Sequence, residues 1–61
     1  MFNHYYVWKD YNGQEVVIQD GLTYDQAQAI VDRAAHYIAS TNGVTFEQAK
    51  ELTGLNINSY N

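Results

Sequence analysis

Sixty-one residues carry seven Asp/Glu against three Lys/Arg, for a net charge of −4, with six Tyr, two Phe and one Trp and neither Cys nor Pro. A chain of this length forms one domain at most, and such a domain buries only about 60% of the surface its unfolded chain exposes. The lack of Cys excludes a disulfide staple and a thiolate zinc site, and the longest apolar run is far short of the roughly 20 residues that cross a bilayer.

Marginal size without a covalent or metal staple points to self-association or a partner as the missing support. The acidic balance opposes binding to phosphate backbones, which Lys and Arg drive by displacing counterions. Nucleic acid is therefore a disfavoured partner and a basic protein surface a favoured one. Met1–Tyr6 lacks a basic stretch followed by an apolar one, so no signal peptide is read and a cytoplasmic location is expected.

Residues 2–9 alternate, with Phe2, His4, Tyr6 and Trp8 on one side and Asn3, Tyr5, Val7 and Lys9 on the other. Period-two spacing with aromatic enrichment predicts a strand. A second β-rich run, Glu15–Gln19, follows Asn12-Gly13, the strongest short hairpin signal. A two-residue type I′ turn sets Asp10 opposite Glu15, a like-charge pair that destabilises a ladder. A three-residue loop with Gly13 as a bulge sets Lys9 opposite Glu15 and His4 opposite Asp20, and is preferred on charge. It predicts Phe2, Tyr6, Trp8, Val16 and Ile18 on the core face. Tyr5, Lys9, Glu15 and Gln19 then face away, with Val7 and Val17 as a small apolar spot.

Residues 24–41 place Ala27, Ile30, Val31, Ala34 and Ile38 at the spacing of an amphipathic helix, with Asp25, Gln28, Asp32, His36 and Ser40 opposite. Thr23 and Gln26 predict a capping box, and Asn42-Gly43 a stop. A second helix is predicted from Thr45, with Gln48 completing its box, Phe46, Ala49 and Leu52 on its apolar face, and an end near Gly54. Gly21–Ala27 and Gly43–Ala49 match by residue type at an offset of 22, two copies of one helix-start signal. The tail, residues 55–61, shows no clear period and is expected to be partly frayed, leaving residues 1–54 as the domain.

The predicted fold is thus α+β: an N-terminal β-hairpin, a long amphipathic helix across its Phe2/Tyr6/Trp8 face, and a short second helix (ββαα). An isolated hairpin is marginal in water and both its strands are unpaired edges. A homodimer through the hairpin is therefore expected.

For chemistry the sequence offers little. Asp32 and His36 lie four apart on a helix but lack a third ligand, and the glycines are accounted for by turns and caps. No nucleophile motif or phosphate-cradling loop is present, so neither catalysis, nor a cofactor, nor a metal is expected. Thr45–Asn56 reads like the first helix and turn of a helix-turn-helix unit. Lys50, however, stands where a small residue is usual, and no recognition helix follows. The expected function is a non-catalytic protein–protein interaction module, an inhibitor, adaptor or accessory factor. Tyr5, Val7, Tyr11, Val17, Asp25 and Asp32 are the candidate partner-binding residues. The alternative is a nucleic-acid-binding or DNA-mimicking regulatory protein, the latter using Asp25, Asp32 and Glu47.

Overall fold

Two β-rich runs joined by Asn12-Gly13 fold as strands β1 (Tyr5–Tyr11) and β2 (Gln14–Leu22), paired antiparallel, in a computed structural model that describes residues 4–60. Helices α1 (Tyr24–Asn42) and α2 (Phe46–Thr53) follow, and the chain returns as a third strand, β3 (Leu55–Ser59). The class is α+β, as expected, with one strand more than the expected ββαα order. β3 pairs antiparallel with β1, giving the sheet order β2-β1-β3. The expected frayed tail is therefore part of the fold. Phe2 lies outside the described residues.

Both helices begin on the signal the sequence repeats. The Thr23 hydroxyl accepts from the Gln26 N–H (3.1 Å) while the Gln26 side chain accepts from the Thr23 N–H (3.0 Å). Thr45 and Gln48 do the same, at 3.1 Å in each direction. Each box satisfies two N–H groups that a helix start otherwise leaves unbonded. Asp25 and Glu47 stand in the first turns, where the helix dipole favours an anion.

The hairpin takes the register that charge opposed. Asn12 (φ 55) and Gly13 (φ 80) both have positive φ, the signature of a two-residue type I′ turn, and Asp10 lies opposite Glu15. The preference for the bulged loop at Gly13 is thereby corrected, as is the pairing of Lys9 with Glu15: Lys9 faces Val16. A type I′ turn twists in the same sense as the strands it joins, and Asn-Gly tolerates its backbone. That gain exceeds the roughly 0.2–1 kcal/mol at stake in one cross-strand pair. The irregularities lie instead farther along, between the Tyr5/Val7 and Val7/Trp8 rungs. There β2 carries extra residues that bend it towards Leu22 and the start of α1.

The core is on the opposite side of the sheet from the one expected. Val7 is fully buried (0% exposed) and clusters with Leu22 and Ala27, against which Tyr5, Ile30, Leu55 and Ile57 pack. The Tyr6/Trp8 side is therefore not the one α1 covers, and the assignment of Val7 to an outward spot is corrected. β3 decides the matter. Its register sets Ile57 beside Val7 and Leu55 beside Lys9, but Asn58 beside Tyr6 and Asn56 beside Trp8. A helix packed on the second side would have to cover two exposed side-chain amides, Asn56 Nδ2 donating to the Gly54 carbonyl and Asn58 Oδ1 accepting from the Ser59 N–H, and covering them is unfavourable wherever their remaining hydrogen bonds go unmade. Burying Val7 and Leu22 on the first is worth roughly 1.5–3 kcal/mol each.

α2 packs chiefly on α1, where Ala35 and Ala49, both at 0% exposure, mark how close the helices come. His36 stacks on Phe46 across this joint, with ring centroids 4.6 Å apart. Gly54 ends α2 with φ 67, and a Cβ there would stand 3.2 Å from Lys9 Cε. Both the left-handed turn into β3 and the Lys9 stem lying against it favour glycine. Helices thus cover one side of a three-stranded sheet, and the other side is bare of them.

Candidate functional site

Alternation along β1 sends Tyr6, Trp8 and Asp10 to the side without helices. β2 adds Glu15 opposite Asp10 and Val17 opposite Trp8, and β3 adds Asn56 and Asn58. Beyond β3 the backbone N–H of Tyr60 donates to the His4 carbonyl (2.9 Å), which continues the ladder by one rung. That rung places the Tyr60 ring 4.7 Å from the Tyr6 ring, and its hydroxyl donates to Asp20 Oδ2 at 3.1 Å. Tyr6 is only 9% exposed despite lying on the open side, because Tyr60, itself 58% exposed, covers it.

The electrostatics of this face are one-signed. Asp10, Glu15 and Asp20 all contribute to it. The three Lys/Arg of the chain lie elsewhere: the Lys9 stem runs on the α1 side against Gly54, Arg33 is on α1, and Lys50 is on α2. Lys9 Nζ sits 5.5 Å from the Tyr11 ring centre and Lys50 Nζ 5.5 Å from that of Phe46. The carboxylates raise the pKa values of the tyrosines beside them. For Tyr6 the hydrogen bond to Glu15 is the largest cause, followed by burial and the Glu15 charge, with Asn58 pulling the other way. For Tyr60 burial comes first, then the hydrogen bond to Asp20 and the charge of that carboxylate.

The chain matches no protein-family model, no curated protein and no solved structure.

The residues expected to meet a partner do not form one surface. Val7 is in the core, and Tyr5 is half-buried on the same side, edge-on to Tyr24 with centroids 5.4 Å apart. Tyr11, 49% exposed, lies on the α1 side at the hairpin tip under Lys9 Nζ. Val17, 46% exposed, is on the open face beside Trp8. Asp25 is exposed in the first turn of α1, while half-buried Asp32 accepts from Gln28 Nε2 (3.2 Å). His36 turns to Phe46 instead of Asp32, and Asp20 is bonded to Tyr60. Among the described residues no group of three or more His, Cys, Asp or Glu is arranged to hold a metal ion.

Sequence pattern alone does not gather Trp8, Asp10, Glu15, Asp20 and Tyr60 into one surface. The signal for Tyr60 was the alternation of Leu55 and Ile57 with Asn56 and Asn58, which reads as a strand with Tyr60 on its polar side. A second uncovered apolar surface runs along α1, a groove of about 570 Å³ lined by Ile30, Arg33, Ala34, Tyr37 and Ile38.

Proposed function

We propose that this chain is a non-catalytic protein-interaction module whose working surface is the helix-free side of its sheet. The observation that carries the reading is an apolar and aromatic floor, Trp8, Val17 and Tyr60, that the fold leaves without a covering layer. Sheets normally bury an apolar face against another element, and aromatic residues with a polar tip are enriched where proteins meet. Charge supports a protein over a nucleic acid as the partner, since the face carries carboxylates and no cation. No described helix is long and apolar enough to cross a membrane, and the cytoplasm is the compartment this proposal assumes.

Self-association belongs to the same proposal. β1 is covered on both sides by neighbouring strands, so the outer edge of β2 is the hairpin edge left for pairing. Val16, Val17 and Ile18 on that strand are 38%, 46% and 49% exposed. Sedimentation at rising protein concentration tests this part, and a monomer throughout would remove it.

The module reading is tested by affinity capture from lysate of the native host with immobilised wild-type chain and with Val17→Asp. A protein held by the wild type and lost from the variant, with circular dichroism showing both folded, is the expected result. Capture that is indifferent to Val17→Asp would move the working surface elsewhere.

A further inference from the structure

We infer that the helix-free face takes an arginine-bearing extended segment of a partner protein, with a guanidinium bridging Asp10 and Glu15 and its stem lying along Trp8 and Val17. The inference rests on the module reading and adds the chemistry of the partner.

Asp10 and Glu15 are directly opposed in the ladder nearest the turn, a position that sets Cβ atoms about 4.5–5.5 Å apart. Like charges so placed repel; Glu15 accepts a hydrogen bond from the neutral Tyr6 hydroxyl, which leaves its charge in place, and among the described residues no cation stands beside the pair, since Lys9 projects to the other side of β1 and Arg33 and Lys50 are on the helices. The repulsion is thus a standing cost of the free protein that an incoming cation removes. The next rung is Trp8 opposite Val17. A cation over the pair therefore has an aromatic face and a branched aliphatic surface immediately beside it. Asp20 supplies a third carboxylate beyond Tyr60, so the negative potential extends across the sheet.

Arginine fits this geometry better than lysine. Its planar fork can donate to two carboxylates at once and stack on an indole, whereas an ammonium is a compact, strongly hydrated point charge. Its three-carbon stem also covers apolar surface that a metal ion leaves wet.

Trp8 is the single tryptophan of the chain, so its fluorescence reports from the site itself. The test titrates the full chain at low ionic strength with a short extended peptide carrying arginine at alternate positions. Counterparts with lysine, citrulline or glutamate at those positions are run in parallel, along with calcium chloride alone. The expected result is a saturable change in Trp8 emission that is strongest for arginine, weaker for lysine, absent for citrulline and glutamate, and suppressed by salt. Asp10→Asn/Glu15→Gln is expected to weaken arginine-peptide binding about tenfold or more. Asp10→Asn alone ends the repulsion while keeping the Tyr6–Glu15 hydrogen bond, and is expected to weaken arginine-peptide binding while melting no lower than wild type. Loss of binding in a protein that melts no lower than wild type cannot be loss of fold. Equal binding by wild type and double variant, no emission change with any cationic peptide, or a calcium response matching the arginine response would each overturn the inference. If capture of a partner is lost with Val17→Asp but unaffected by Asp10→Asn/Glu15→Gln, the module reading stands and the arginine site falls.

Discussion

The Tyr60 hydroxyl donates to Asp20 at 3.1 Å across 40 residues of sequence, and in doing so ties one edge of the sheet to the other. Asp20 is on β2 and Tyr60 follows β3, while the Tyr60 ring lies 4.7 Å from that of Tyr6 on the central strand between them. One side chain therefore bridges all three strands on the face that lacks helices. Replacing Tyr60 by Phe keeps the ring over Tyr6 and removes the bond to Asp20. Replacing it by Ala removes both and uncovers Tyr6. The urea midpoint is expected to fall slightly for Tyr60→Phe and clearly further for Tyr60→Ala. A Phe variant as unstable as the Ala variant would place the whole effect in the hydroxyl.

The same contacts fix an alkaline response. Tyr6 and Tyr60 have folded-state pKa values above the ordinary 10.0, each held up by a neighbouring carboxylate and by burial. The folded state keeps these protons after the unfolded chain has begun to release them. Stability from this source is complete below about pH 10 and is lost as pH rises through the folded pKa values. Tyrosinate absorbance of the folded chain should therefore lag, with rising pH, behind that of the urea-unfolded chain. Asp20→Asn should lower the Tyr60 pKa part of the way, since burial is its larger cause, and Glu15→Gln should lower that of Tyr6. A folded-state titration that coincides with that of the unfolded chain would contradict this.

Val7 and Val17 are the same residue type on opposite sides of the sheet, at 0% and 46% exposure. Val7→Ala leaves a cavity among Leu22, Ala27, Leu55 and Ile57 and is expected to cost about 2 kcal/mol. Val17→Ala should fall within about 0.5 kcal/mol of wild type. A domain this small rarely has more than about 3–5 kcal/mol in hand, so the first variant is expected to be partly unfolded near body temperature. Chemical denaturation of the two variants side by side decides the point, and equal costs would place the core on the wrong side of the sheet.

The two capping boxes make parallel predictions. Thr23→Ala and Thr45→Ala each remove the acceptor of a backbone N–H at a helix start and should cost about 1 kcal/mol apiece. Thr→Ser at either position should restore most of the loss. Helicity read by circular dichroism against temperature checks both.

Gly13→Ala isolates backbone conformation from packing, because nothing stands within 4 Å of where its Cβ would go and φ is +80. The left-handed conformation alone should cost about 1–2 kcal/mol. It should also favour other hairpin registers, which amide exchange of β1 and β2 would show as lost protection at Trp8–Asp10.

The helices were legible in the sequence because their information is local. Thr23, Gln26, Thr45 and Gln48 meet partners three residues away, and the spacing of Ala27 and Val31 marks the buried side of α1 whatever lies beneath it. The hairpin is legible as an Asn-Gly turn, but its register is not legible from charge, because the fit of turn twist to strand twist outweighs the repulsion of Asp10 and Glu15. The strand at Leu55–Ser59 carried a period-two pattern too short and too rich in Asn to stand out alone.

What the amino-acid sequence determines by itself is the set of elements: two strands around a tight turn, two capped helices, an acidic balance and no cysteine chemistry. Which side of the sheet is core was settled only by tertiary structure. β1 offers Tyr5 and Val7 to one side and Tyr6 and Trp8 to the other, and both are apolar enough to bury. The choice was made by β3, whose register brings Leu55 and Ile57 to the first side and Asn56 and Asn58 to the second. Val7 therefore became core, and Trp8, Val17 and Tyr60 became surface, together with the carboxylates that define its charge.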